Sequence, residues 1–482
     1  EQISLAHEKK SLDKWFAPIS RADTGIPSSD LIIGEYGNLS LLGQMRVLRK
    51  QYGNVVKLDG LLNRDPMIIL FCPKLAEKMY RHQGIWPHRI RMETLQYHRE
   101  CRPAIYKGQY GLTSSQGQPW YEVRSKVNPH MMQPRAIWPH VERIDQVSND
   151  LITRILETRD PNNLEVPSTF NNELSKWALE ATCSIALNRR LGCLEPNLPK
   201  DSEPQQLINC VHEMFDLTYK LEVLPSMWKV YNTRKLRKLF QVVDRLNRIT
   251  IKYVNRAKEE FSVKPTESIN DRSVLEKLLG VDEQIGLVMS IDMFMAGVDT
   301  TGNATASLLY YLATNPKKQD KLREEVMRLL PDKSLPITVD MINRLTYLKA
   351  CMKESHRLFP ITIGTSRIMQ KDVELGGYLM PKGTSILPCH AVMSMDPTQY
   401  PRPDEYIPER WLKNNDGPLS AKNAHPFTYM PFGFGARTCI GKRFAEMEIE
   451  ILIMKVSMLD SCYIELKACY SYQQCLFLFY RL

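Results

Sequence analysis

The sequence predicts a mainly α-helical chain with a few short β-strands. Three observations carry that expectation. Apolar residues recur at helical spacing over residues 141–261, with Ile144, Val147, Leu151 and Ile155 as one stripe and Leu174, Trp177, Ala178 and Ala181 as another. The longest helical pattern runs over residues 275–314. The β-type runs, by contrast, are short. Residues 55–58 and 67–71 read as a hairpin, and 373–375 and 384–387 read as short strands around Gly376-Gly377.

Taken in order, the first 30 residues are polar and hold no assignable element. After the hairpin, residues 75–80 read as a short helix following Pro73. Residues 86–119 carry scattered Pro and Gly with Trp86, Tyr97, Tyr106 and Tyr110, and read as a long irregular segment of the kind that is often functional. Trp120 and Arg124, four apart, share a helix face. A mixed stretch at 204–232 precedes a basic helical segment at 234–258. There Lys235, Arg237, Lys238 and Arg245 form either a solvated face or one that touches membrane. Within 275–314 the pattern is interrupted at Ala296-Gly297-Val298-Asp299-Thr300-Thr301. Glycine costs about 1 kcal/mol relative to alanine inside a helix, and the Thr300 hydroxyl can bond back to the Ala296 carbonyl. A local bulge with a groove beside it is expected. Glu354 and Arg357, three apart, can pair on one face, although Glu-x-x-Arg is common by chance. Lys349 and Lys353 put two positive charges on one face, the ordinary pattern of a solvated helix. Residues 390–394 resemble a short helix.

The chain has 482 residues, 43% hydrophobic and 24% charged, enough for a large core in one or two domains. Its net charge of +10 suits nucleic acid, an anionic membrane or an acidic protein partner. The basic residues are scattered with no aromatic-interleaved block, which argues against nucleic acid. Eleven cysteines without a Cys-x-x-Cys pair form neither a disulfide framework nor a zinc module, and point to a reducing compartment. No run of 18 apolar residues predicts a membrane-spanning helix. The chain begins at Glu1, so a fragment or processed form that lacks a targeting peptide is expected.

Chemistry concentrates at Pro431-Phe432-Gly433-Phe434-Gly435-Ala436-Arg437-Thr438-Cys439-Ile440-Gly441. A helix-like run follows at once through Phe444, Met447, Ile451 and Met454. A cysteine just ahead of a helix has its sulfur near unpaired backbone N–H groups and the positive end of the dipole. That environment favours thiolate. The glycines allow a tight turn and close approach to something flat, and Arg437 can hold an anion. A thiolate beside an anion clamp suits a thiolate-ligated haem with its propionates. A lone cysteine in this position would instead read as a buried free thiol.

The string resembles the haem-binding signature of the cytochrome P-450 family, Phe-x-x-Gly-x-Arg-x-Cys-x-Gly. Phe432, Gly435, Arg437, Cys439 and Gly441 fill every fixed position. Further matches stand in order: Trp120-x-x-x-Arg124, the 296–301 string, Glu354-x-x-Arg357-Leu358-x-Pro360, and Pro408-Glu409-Arg410. The resemblance covers residues 31–456. Residues 1–30 stay unassigned, and 457–482 depart from the family's usual end, with Cys462, Cys469, Cys475 and an apolar run at 476–480.

This resemblance implies a mainly α cytochrome P-450 fold with small β-sheets, one large haem-binding domain and haem b (iron protoporphyrin IX). It implies Cys439 as iron ligand, its thiolate favouring O–O cleavage. Trp120, Arg124, Arg367 and Arg437 would bind propionates, and Phe432, Gly435 and Gly441 would shape the haem loop. Asp299 and Thr300 would deliver protons to bound oxygen, and Glu354, Arg357 and Arg410 would form a buried structural charge cluster. The implied reaction inserts one oxygen atom from O₂ into a hydrophobic substrate, a steroid or xenobiotic. A thiolate-haem isomerase or peroxide-using enzyme, and a haem protein without turnover, are the alternatives. The overall look is closest to insect mitochondrial members. Mitochondrial members carry lysines where Lys349 and Lys353 stand, and an acidic ferredoxin docks there; Lys442 and Arg443 add positive charge. A ferredoxin-type donor, peripheral membrane contact and the matrix face of the inner mitochondrial membrane are therefore implied.

Overall fold

The computed structural model describes residues 25–27, 39–59, 65–90, 92–162, 165–264, 266, 268 and 271–459. The expectations for residues 1–24 and for the tail from 460 onward lie outside them. The fold is mainly helical with two small sheets, and its contacts gather into two compact units.

The first unit takes the described residues up to Ile90 with Thr362–Pro403 and Asn423–Thr438. It holds β1 (Gly25–Pro27), α1 (Leu41–Tyr52), β2 (Val55–Asp59), β3 (Met67–Leu70), α2 (Pro73–Arg81), β4 (Arg367–Ile368), β5 (Val373–Leu375), β6 (Tyr378–Met380) and β7 (Ser385–Pro388). β2 and β3 form the expected antiparallel hairpin, with Val55 opposite Leu70. β1 and β7 add in parallel on either side, giving the order β1-β2-β3-β7-β4. The central place of β3 explains why Ile68, Ile69 and Leu70 are all buried whereas β2 alternates. α2 starts on Pro73, whose missing N–H is harmless in a first turn, and buries Ala76, Met79 and Tyr80. Tyr80 is the hub of this core. Its ring packs on Phe427 and Phe434, and its hydroxyl lies 3.0 Å from His390 Nε2.

The second unit takes Arg91–Ile361, Asp404–Lys422 and the described residues from Cys439 onward. Its longer helices are α3 (Glu93–Glu100), α4 (Gly117–Met131), α5 (Val141–Thr158), α6 (Phe170–Leu187), α7 (Glu203–Glu222), α8 (Arg234–Val263), α9 (Glu283–Ala313), α10 (Pro316–Leu329), α11 (Tyr347–Leu358) and α12 (Lys442–Ser457). Side chains cap several starts: Ser202 before α7, Thr233 before α8 and Asp282 before α9. α8 buries Leu239, Val243, Leu246, Val254 and Ala257 along one stripe and leaves its basic residues outside.

α9 is the axis of this unit, packed by α6, α8, α11 and α12. Its residues from Ile285 to Leu312 are mostly buried. The expected interruption at 296–301 is absent, because α9 runs unbroken through it. Thr300 Oγ1 does donate to the Ala296 carbonyl at 2.6 Å, but the neighbouring helices hold the ladder together. Gly297 has a packing reason instead. A Cβ there would lie 2.4 Å from Thr182 Oγ1 on α6.

Residues 86–119 also differ from the irregular segment expected of them. They form α3 and two short turns of helix, Pro103–Tyr106 and Gly111–Ser114. The cause is a buried ion pair. Arg99 on α3 donates to Asp292 of α9 at 2.6 Å, and the same carboxylate accepts from Leu112 N at 2.9 Å and Thr113 Oγ1 at 3.2 Å. Gly111, at φ +71°, is needed because a Cβ would meet Asp292 Oδ2 at 2.5 Å.

A second buried node ties α11 to the turn Pro408–Trp411. Glu354 accepts from Arg357 Nε at 2.9 Å and Nη2 at 2.8 Å, from Arg410 Nε at 3.1 Å, from Trp411 Nε1 at 2.8 Å and from Ile407 N at 3.1 Å. All three charged side chains are fully buried. Removing the one carboxylate leaves two guanidinium ions buried together, which typically costs about 3–5 kcal/mol. Glu354→Gln is expected to lower stability by that order in a urea unfolding curve; an unchanged midpoint would show that the node carries little.

Candidate active site

The glycine loop ends the first unit. Gly433 and Gly435 have φ of +74° and +69°, so both need glycine. A tight turn follows, with Thr438 N and Oγ1 both donating to the Gly435 carbonyl at 3.0 and 2.8 Å. A Cβ on Gly435 would lie 2.8 Å from Gln83 Nε2. Gln83 in turn accepts from Arg367 Nε at 2.5 Å, and Arg367 Nη2 donates to the Phe434 carbonyl at 3.1 Å. Arg437 is buried and donates from Nε to the Pro87 carbonyl at 2.9 Å. Phe432 is half-buried in the same loop.

The charge on Arg367 is informative. The side chain is 1% exposed and lies over the Tyr80 ring at 5.0 Å. Its hydrogen bonds go to the neutral oxygens of Gln83, Ser366 and Phe434. Burial pushes its guanidinium down to about 10. A buried cation that meets only neutral oxygens fits a site that receives an anionic ligand group, as a haem propionate would be.

Cys439 opens the last part of the second unit, three residues ahead of α12. It is exposed, whereas Cys183, Cys193, Cys210, Cys351 and Cys389 are buried. Burial pushes the thiols of those five above the ordinary range. Gly441 is the residue before α12, and a Cβ there would sit 4.0 Å from Cys439 Sγ. On α4, Trp120 and Arg124 are both buried on one face.

On α9 one strip is uncovered. Ala296 is exposed and Gly297 and Thr300 are half-buried, while Phe294, Met295, Val298 and Thr301 beside them are buried. A small-residue strip of one helical turn on an otherwise sheathed helix fits the face of a flat ring system. Asp299, 1% exposed, points elsewhere: its Oδ1 is 2.8 Å from His212 Nε2 of α7. Sequence reasoning missed His212, because no motif marks it and 87 positions separate it from its partner.

The four cations expected at a partner surface come together around one carboxyl. Lys349, Lys353, Lys442 and Arg443 all act on Glu446, which burial nonetheless pushes above its ordinary range. Lys353 is exposed and lies 5.9 Å over the Trp411 ring. Partial desolvation of the ammonium beside that ring nonetheless pushes it down, and Lys442, Lys349 and Lys413 add to that shift.

Comparison with known proteins agrees with this chemistry. A family-wide sequence model, Cytochrome P-450, matches residues 31–464. The chain is 40% identical over 436 residues to cytochrome P-450 CYP12A2 of Musca domestica, covering 88% of this chain and 81% of that protein. It is 39% identical over 431 residues to probable cytochrome P-450 12a5, mitochondrial, of Drosophila melanogaster, covering 87% and 80%. It is 35% identical over 429 residues to cytochrome P-450 12b1, mitochondrial, of Drosophila acanthoptera, covering 88% and 80%. The chain belongs to the cytochrome P-450 family and is a haem b-dependent monooxygenase.

Proposed function

We propose that this monooxygenase is a mitochondrial one, fed by a ferredoxin-type donor, that oxidises a hydrophobic steroid or xenobiotic at the matrix face of the inner membrane. The observation that carries the donor reading is the gathering of Lys349, Lys353, Lys442 and Arg443 around Glu446. Four cations against one carboxyl favour encounter with an acidic protein. The names of two of the three relatives above include the word mitochondrial, which supports the compartment.

In this reading the Cys439 thiolate, exposed at the end of the glycine loop, would bind the haem iron. Arg367, Arg437 and Arg124 would offer guanidinium groups to propionates, and Trp120 an indole N–H donor. Phe432, Gly435 and Gly441 shape the loop and keep space beside the sulfur. Bound haem b supplies oxygen activation and the oxidation of the substrate C–H bond. Thr300 offers a hydroxyl proton at Oγ1 on the uncovered strip of α9, and Asp299 next to it is the acid that replenishes it. Glu354, Arg357 and Arg410 support the fold and touch no substrate.

The loop before α8 supports membrane contact. Met227, Val230 and Tyr231 are 40%, 66% and 60% exposed, and Lys235, Arg237 and Arg245 are exposed on the helix that follows. Apolar side chains beside basic ones suit an anionic lipid surface. Among the described residues no helix is long and apolar enough to cross a membrane.

Three measurements test the proposal. Cys439→Ala is expected to lose the long-wavelength absorbance that a thiolate gives the reduced carbon monoxide complex; a retained band would name another ligand. Thr300→Ala is expected to keep that band but to divert reducing equivalents to peroxide, with product per NADPH falling severalfold. Unchanged coupling would remove the hydroxyl from the proton path. Lys349→Glu with Lys353→Glu is expected to slow ferredoxin-supported reduction about tenfold or more at low salt and to flatten its salt dependence. Equal rates would move the docking surface elsewhere.

A further inference from the structure

We propose that His212 is a positioning residue for proton delivery: its imidazole holds the Asp299 carboxylate in place and exchanges protons with it. The inference rests on the proposed role of Asp299 and Thr300. Asp299 lies on the buried axis helix with 1% of its surface exposed. His212 Nε2 stands 2.8 Å from Asp299 Oδ1, and the His212 side chain keeps 35% of its surface exposed. Neither Asp299 oxygen meets an aligned hydrogen-bond donor among the described residues, so the 2.8 Å approach of His212 Nε2 to Oδ1 is an ion-pair contact. Oδ1 is thus the oxygen that faces the imidazole, in a contact a single proton can cross.

Burying a carboxylate is costly unless a counter-charge meets it. Many of the charged groups on α7 and on the elements packed against it are engaged elsewhere, Glu222 of α7 among them, which accepts from Thr94 N at 2.7 Å. On α7 itself Glu213 pairs with Lys238, Asp216 with Lys220 and Glu203 with Lys252. On α6 Glu180 pairs with Arg190, on α8 Asp244 holds Arg102 and His98, and on α3 Glu93 pairs with Lys229. His212 and Asp299 are left to each other. Burial pushes the imidazole down, yet Asp299 outweighs it and keeps the proton on beyond the ordinary imidazole range. The proposed step moves one proton. The Nε2–H bond of imidazolium breaks as an O–H bond forms at Asp299 Oδ1, and the imidazole then regains a proton from water at its exposed edge. Nothing is oxidised or reduced.

The test uses the haem-loaded protein. In the reduced carbon monoxide complex, ¹⁵N-histidine NMR is expected to show His212 titrating above the ordinary imidazole range, and falling below it in Asp299→Asn, where only burial remains. In turnover, peroxide formed per NADPH is expected to vary with pH through that titration. In His212→Gln it is expected to be severalfold higher and flat. His212→Lys restores a cation without a titration near neutrality, and is expected to bring the peroxide yield back toward the wild-type level but not the pH dependence. A wild-type profile in His212→Gln, restoration of the profile by lysine, or an unmoved His212 titration in Asp299→Asn would each overturn the inference. If Thr300→Ala still diverts electrons to peroxide in the same preparations, His212 alone falls. If it does not, the reading of the Asp299–Thr300 pair falls with it.

Discussion

The burial of α9 is the constraint from which most of the second unit follows. A helix of 31 residues sheathed along most of its length must have every polar side chain met from within or from a neighbour. Ser290 and Thr305 bond back to the carbonyls of Gly286 and Thr301 at 2.9 and 2.8 Å. Ser307 meets Ser355 of α11 at 2.9 Å. Asp292 draws in Arg99 and the backbone after it, and so shapes the whole segment between α3 and α4. The uncovered strip at Ala296 and Thr300 stands out against this background. On a surface helix, a small residue beside a threonine would mean nothing.

Buried charge is handled in two ways, and the contrast separates architecture from site. Arg99 with Asp292, Lys455 with Asp145, and Glu354 with two arginines are all closed within the protein. Each fixes one element against another and has little left to offer a ligand. Arg367 is buried as deeply, but its donors meet only neutral oxygens. A buried guanidinium in that condition has the chemistry to receive an anionic group.

Local features were legible in the sequence, and distant ones were not. The hairpin, the Pro73 helix and the amphipathic helices of 141–261 follow from short-range pattern, and the structure has them. The loop glycines were readable because a positive φ leaves a residue preference behind. The break expected in α9 failed because glycine and a back-bonding threonine weaken a helix only where nothing supports it. Thr182, 115 positions away, was the unseen reason for Gly297. The irregular reading of 86–119 failed likewise, since its helices depend on Asp292. The pairing of Glu354 with Arg357 could be read as a helix spacing, but its burial and the arrival of Arg410 and Trp411 could not. His212 left no signal at all. Motifs report residues whose chemistry is fixed by a cofactor, whereas a partner recruited across two helices needs only to arrive there.

α12 joins these arguments to the thiol. Cys439 sits just before its first turn, and so inherits whatever rigidity the helix has. Glu448 is fully enclosed, meets the Thr301 hydroxyl of α9 and is pushed up to about 8 by burial; Glu450 is pushed up to about 8 by burial too. At neutral pH the folded chain therefore holds protons on carboxyls that the unfolded chain would release. The sign follows from linkage. Stability drawn from this helix is greatest below the ordinary carboxyl range and declines as pH rises from there through about 8. At the far end of the helix Lys455 pairs with Asp145 at 3.0 Å. The thiol itself needs exposure, but the helix behind it is anchored by groups that tolerate none. Thiol and scaffold thus make opposite demands, met within a few turns of one helix.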